Sequence, residues 1–261
     1  EVTVVDPHER VGGSVGRWER DGFVLDTGPT QVCMPGSYRQ LFADTGADID
    51  DYVRFEPIDP VRTHLFCDGS RLDLPNADSG KVTAALDAAL GSGAGRQWAA
   101  LLDRGRQIYE AAAQLREASS AGVATLARQV GELPTFAPHL TFRRMGAGYV
   151  EDERLRHLLD RYVVDLGLDP ASAPAAFTAL PYIEHAFGAW QVTCGTHRIP
   201  LALAQRAHDL GVRLLLGTEV RQIEVETGLA RSRVRGVRLD DASLAACSQG
   251  VCGWVRNCRP S

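Results

Sequence analysis

The chain has 261 residues, 44% of them hydrophobic and 23% charged, enough to bury one or two ordinary cores. Its formal net charge of -5 excludes the basic footprint of a nucleic-acid-binding protein. No stretch approaches the roughly 18 apolar residues of a transmembrane helix, and the first residues carry no signal-peptide pattern, so a cytoplasmic protein is expected. Six cysteines, at 33, 67, 194, 247, 252 and 258, form no CxxC pair, which argues against zinc and for a reducing compartment.

In chain order, Val2-Thr3-Val4-Val5 is a β-branched run of the kind that forms a buried parallel strand, and it ends at Asp6. A carboxylate at a strand tip suits recognition of the two hydroxyls of a ribose. Arg10 and the pair Gly12-Gly13 follow, where backbone can approach a phosphate and a cation can meet it. Arg17 to Asp26 reads as extended, and Asp26 is read as fixing the Gly28-Pro29 turn. Residues 35 to 52 read as a helix, with Tyr38, Leu41, Phe42 and Ile49 on one face and Gly46 near a break. Two extended runs, 61–66 and 71–74, flank a turn containing Asp68-Gly69 and predict a hairpin. Lys81 to Leu133 reads as two or three helices broken at 91–95 and 119–122, and a further helix is expected from about Val150 to Leu166. An amphipathic helix over 199–210 and strands over 212–216, 219–226 and 234–239 complete the pattern.

Three tempting motifs have plainer readings. Gly12, Ser14 and Gly16 fit a hydrolase nucleophile elbow, but no strand directly precedes the serine and no helix follows it. Gly91-Ser92-Gly93-Ala94-Gly95 resembles a phosphate loop, yet it follows a helical run, so a helix break is the better reading. The seven histidines lack metal-ligand spacing, and no metal site is expected.

The string VTVVDPHERVGG, continued by DGFVLDTGPTQVCMP, resembles FAD-dependent carotenoid desaturases of the bacterial phytoene desaturase type, within the wider flavin amine oxidase class. The resemblance returns in the run from Phe177 to Trp190 and in Gly217 to Ile223, and it departs at Cys194-Gly195-Thr196-His197, where the family usually has a Gly-Gly pair. It implies an α/β fold: an incomplete Rossmann-type FAD-binding domain with an inserted, largely helical substrate domain. The first strand and Gly-rich loop would lie about 25 residues upstream of Glu1, so the chain reads as a fragment. Expected segments are 1–60 and 191–240 for the flavin domain, 61–190 for the substrate domain with its lid, and 241–261 as an atypical, out-of-frame tail.

By resemblance the cofactor is FAD, contacted by Asp6, Arg10, Gly12, Gly13, Gly28, Pro29 and the backbone of Val220. The reaction implied is removal of a hydride by the flavin, with loss of a proton from the neighbouring carbon of an apolar, carotenoid-like polyene. Residues 177 to 190 would cross near the flavin as an aromatic strand lining a polyene tunnel. No catalytic base is named: Glu151 to Glu153 and Glu184 are candidates by location only. Arginines of the helical block could meet anionic lipid at a membrane periphery, although their spacing fits a plain solvated face better. A flavin amine oxidase-like enzyme, or an inactive remnant that binds no cofactor, stands beside the desaturase reading.

Overall fold

The computed structural model describes residues 2–121, 134–227, 232–240 and 244–246. The chain divides into two units, the first made of residues 1–30, 41–54 and 192–261, the second of 31–40 and 55–191.

In the first unit the β-branched run forms β1 (Thr3–Asp6), which pairs in parallel with β9 (Arg213–Leu216), Asp6 lying opposite Leu216. The parallel pairing is as expected, but the burial is not. Val4 remains 47% exposed, because β9 is the only strand paired with β1 among the described residues. The extended run over 17–26 is a hairpin of β2 (Arg17–Arg20) and β3 (Phe23–Asp26), with Trp18 opposite Leu25. Asp21 and Gly22 make its two-residue turn with φ of 52° and 80°, the left-handed pair that matches strand twist. Side chains alternate across it, so Arg17, Glu19, Val24 and Asp26 share one face while Trp18, Arg20, Phe23 and Leu25 share the other.

The expected helix over 35–52 stops early. α1 (Pro35–Asp44) ends before Gly46, whose φ of 81° no helix accommodates, and the chain resumes as a 3-10 turn at Ile49–Asp51. Phe42 and Ile49 are buried as expected, whereas Leu41 is exposed. Later in the chain β10 (Val220–Thr227), β11 (Ser232–Leu239) and β12 (Leu244–Ala246) form an antiparallel sheet. The segment after Asp240, expected to lack strand structure, therefore supplies a strand, with Ala246 opposite Gly236. The rest of the expected tail, 247–261, lies outside the described residues.

The second unit holds the three-stranded sheet β4 (Val32–Cys33), β8 (Ala189–Val192) and β5 (Phe55–Pro57), with β8 central. It also contains the predicted hairpin β6 (Arg62–Leu65) and β7 (Arg71–Leu74). Helices α2 (Ser79–Leu90) and α3 (Ala94–Ala121) part at the expected glycine-rich break. There the Asp87 carboxylate accepts the N–H groups of Gly93 and Gly95 at 3.0 and 2.9 Å, so a carboxylate stands where a phosphate would. The break expected at 119–122 is not seen before Ala121, and residues 122–133 lie outside the described ones.

α4 (Phe142–Ala147) and α5 (Glu153–Val164) follow, the latter started by Asp152, whose side chain accepts the Arg154 N–H. α5 buries Leu155, Leu158, Leu159, Tyr162 and Val163 against a core that includes Leu86, Trp98, Leu101 and Phe142. Each fully buried side chain of this kind contributes about 1.5–3 kcal/mol. The segment expected as an aromatic strand is mostly α6 (Ala179–Phe187), and only β8 beyond Gly188 is extended. α7 (Arg198–Asp209) belongs to the first unit and buries Ile199 and Ala202.

Candidate functional site

Asp6 closes β1, and the backbone just beyond it is held by the other parallel strand: Thr218 N–H donates to the Asp6 carbonyl at 3.1 Å and Gly217 N–H to that of His8 at 2.9 Å. These bonds set the carboxylate of Asp6 two residues from the entry to β10, where Val220 lies half-buried opposite Leu239. Asp6 Oδ1 accepts the His8 N–H at 2.8 Å and contacts its ring at 3.0 Å. Oδ2 has no hydrogen-bond partner among the described residues, and the side chain is 48% exposed. The turn-capping role and an outward acceptor thus coexist in one carboxylate. Arg10 is exposed and makes no ion pair with a described residue.

The glycines expected at the cofactor are needed for backbone shape. Gly12 has a φ of 116°, and a Cβ there would meet the Val15 carbonyl at 2.6 Å and Pro200 at 3.0 Å. At Gly13, with a φ of 53°, a Cβ would have nothing within 4 Å, which leaves that side of the loop open to a ligand. Gly28 packs against the same loop, where a Cβ would lie 2.3 Å from the Ser14 carbonyl. Pro29 is fixed through its carbonyl, which accepts the Thr196 hydroxyl at 2.6 Å. Gly12, Gly13, Gly28 and Pro29 are therefore gathered by direct loop packing. Ser14 sits exposed within it, with no elbow around it.

Asp26 does not fix the Gly28-Pro29 turn. Its carboxylate accepts Thr196 N–H at 2.8 Å and His197 N–H at 3.2 Å, and pairs with His197 Nδ1 at 2.8 Å. Burial pushes the Asp26 carboxyl upward, but the bonds from the His197 ring and the two amides outweigh it and hold the group below the usual carboxylate range. Gly195 makes the clamp possible, since a Cβ there would stand 2.8 Å from both carboxylate oxygens. Asp26, Thr196 and His197 were missed as a unit because 170 positions separate Asp26 from Thr196. The one available signal was the replacement of a glycine pair by Cys194-Gly195-Thr196-His197.

In the second unit Glu184 is buried, with both oxygens engaged. Oε1 accepts the Tyr162 hydroxyl at 2.6 Å, and Oε2 accepts Gln31 Nε2 at 3.0 Å and Arg62 Nη2 at 3.2 Å. Arg62 also donates to Asp165 at 2.9 Å and lies 5.3 Å over the Tyr162 ring. Burial, then the Glu184 charge, pushes both the Tyr162 hydroxyl and the Cys33 thiol up. Burial and the Arg62 cation push His64 down. Glu184 therefore ties Tyr162, Gln31 and Arg62 together through both of its oxygens. Asp152 caps α5 and pairs with Arg154 at 2.9 Å, while Glu151 and Glu153 are exposed.

The aromatic content of 177–190 packs inward. Phe177, Leu180 and Tyr182 lie against the second unit's core, and Tyr109 meets the rings of Tyr182 and Phe187 at 5.7 and 5.6 Å. Beside Glu184 a cavity of about 10 Å³ has room for one water and none for a polyene. Arginines of the helical block are held by acids: Arg106 by Asp103 and Glu110, Arg143 by Asp160, Arg161 by Asp165. Their faces are solvated ion-pair surfaces. Among the described residues no His, Cys, Asp or Glu cluster could hold a metal ion, and no helix is long and apolar enough to cross a membrane.

Comparison with known proteins places these features in a family. The chain is 30% identical over 233 residues to a 4,4'-diapolycopene oxygenase of a Methylomonas species, covering 88% of this chain and 46% of the relative. It is 31% identical over 246 residues to a hydroxyneurosporene desaturase of Cereibacter sphaeroides, covering 92% and 48%. The chain thus spans a little under half the length of these relatives. Among solved structures, an oxidoreductase from Methanosarcina mazei superposes with a TM-score of 0.60 at 16% identity, over 95% of this chain and 51% of the other, a likeness of fold. Residues 1–252 match the profile of the flavin containing amine oxidoreductases, which extends the family pattern beyond the Asp240 limit read from the sequence. The α/β chain belongs to the flavin containing amine oxidoreductase family.

Proposed function

We propose that the chain is part of an FAD-dependent oxidoreductase of the carotenoid desaturase type, its first unit holding the cofactor and its second forming part of the substrate domain. The observation that carries the cofactor reading is the end of β1. Asp6 leaves Oδ2 outward, and the Gly12-Gly13 loop that follows leaves open space on the Gly13 side. These groups fit a dinucleotide: the carboxylate accepts ribose hydroxyls, Gly13 admits a phosphate close to backbone, and Arg10 supplies a cation. The bond from Thr218 N–H to the Asp6 carbonyl, two residues before Val220, supports a role for the Val220 backbone at the adenine end.

The flavin, once bound, supplies the hydride acceptor. The chain's residues bind and orient it, with Gly28 packed against the Gly12–Gly16 loop, Pro29 held by the Thr196 hydroxyl and the Asp26 clamp holding the start of α7. Glu184 holds Gln31 and Tyr162 in place. The polyene substrate class rests on the relatives, named as acting in carotenoid chemistry. Contact with a membrane rests on the insolubility of such a substrate, since Arg106 and Arg143 of the helical block are paired with acids.

Protein purified with excess FAD and then denatured should release the cofactor, and Asp6→Ala should weaken its retention roughly tenfold or more through loss of charge-assisted bonds. A colourless preparation that takes up no FAD, or an Asp6→Ala variant that holds it unchanged, overturns the reading.

A further inference from the structure

We infer that the cavity between the β2–β3 hairpin and the loop entering α7 is a binding site for a phosphate-type oxyanion, built from residues other than the cofactor positions named above. Its volume of about 420 Å³ lies in the range of small-ligand sites. Arg17 reaches it from the hairpin and Arg198 from the first turn of α7, so two guanidiniums line one space from separate elements. Glu19 tethers Arg17 at 3.1 Å, whereas Arg198 makes no ion pair with a described residue. A planar fork on each side is the geometry that binds a tetrahedral or planar oxyanion through paired N–H donors.

The acid in the wall does not oppose this. Asp26 commits its oxygens to three hydrogen bonds with Thr196 and His197 and makes no ion pair with either arginine. Those bonds also occupy the amides at the start of α7, so recognition falls to side chains rather than to the helix terminus. The His197 ring, its Nδ1 paired with Asp26, lines the same space. Val24 closes the hairpin side with aliphatic surface.

Calorimetric titration of the 261-residue chain with inorganic phosphate and pyrophosphate at low ionic strength tests the site. Saturable binding is expected, weakened roughly tenfold or more by Arg17→Ala and by Arg198→Ala, and changed less than about twofold by Arg106→Ala in the second unit. Both residues are exposed, so their truncation should leave melting little changed; if a variant does melt early, Arg198→Lys, which keeps the charge but loses the fork, should still weaken pyrophosphate. Repeating the titration with FAD separates the sources of such a group: competition names the cofactor's own phosphates, and unchanged binding names a free oxyanion. Absence of saturable binding overturns the inference. So does binding that survives both arginine substitutions.

Discussion

At the scale of single residues, the Asp26 clamp is where a small change should be felt most in the first unit. Replacing Asp26 with Ala strips acceptors from Thr196 and His197 and should cost about 2–4 kcal/mol at neutral pH. The pH dependence has a definite sign. Because the folded carboxyl titrates below its ordinary value of about 3.9, its contribution is fully present above that value and disappears as the pH falls through the lowered one. The difference in melting temperature between wild type and Asp26→Ala should therefore shrink below about pH 4. A difference that stays undiminished at about pH 2 would show that Asp26 is not held as an anion by these bonds. Gly195 belongs to the same device, because any side chain there would collide with the carboxylate oxygens.

Between elements, two contacts in the second unit decide how helices meet. Gly105 in α3 lies where a Cβ would stand 2.5 Å from the Thr178 carbonyl and 2.9 Å from Tyr182 Cβ. Alanine normally stabilises a helix interior relative to glycine by up to about 1 kcal/mol. Here backbone blocks the added methyl, so Gly105→Ala should destabilise by about 1–3 kcal/mol in denaturant unfolding, and a stabilised variant would refute the close approach. Glu184 links α6 to α5 through Tyr162, to β6 through Arg62 and to the start of β4 through Gln31. Glu184→Ala takes an acceptor from Tyr162 and Gln31 and leaves Arg62 with Asp165 alone, and it should cost about 1–3 kcal/mol. Glu184→Gln should cost less, and its coupling with Tyr162→Phe should reach about 0.5–3 kcal/mol in a double-mutant cycle. Additive effects would mean that the short Tyr162 bond contributes nothing of its own.

For the molecule as a whole, the two units carry separate reporters. Trp98 is buried in the second unit's core and Trp18 stands 45% exposed on the first unit's hairpin. Ligand that binds only folded protein at a hundred times its Kd stabilises by about 2.7 kcal/mol. In variants retaining Trp18 or Trp98 as the fluorescent probe, FAD should raise the Trp18 transition more than the Trp98 transition. A shift confined to Trp98 would place the cofactor in the wrong unit.

Much of the fold could be read from local pattern, for reasons visible in particular residues. Asp68-Gly69 between two extended runs marks the β6–β7 hairpin, the spacing of Leu155, Leu158, Leu159, Tyr162 and Val163 marks the buried face of α5, and Gly91 to Gly95 ends α2. The β-branched start and its terminal Asp6 pointed to a parallel strand, and the strings around them pointed to the family. These are signals over neighbouring positions, where periodicity and turn chemistry act.

Other features needed the folded chain. The apolar run 177–190 carries strand-like aromatics but coils as α6, because Pro181, Glu184, Phe177 and Tyr182 find partners on α3 and α5. Val4 reads as core yet stays exposed because burial depends on what lies against a strand. Asp26 and Glu184 looked like a turn residue and a candidate base until their partners appeared far along the chain. Sequence by itself determined the local elements and the family, since both reside in short-range pattern. Tertiary structure alone decided which carboxylates are engaged, which glycines are obligatory and where two arginines share a cavity, because distances between remote residues exist only once the chain is folded.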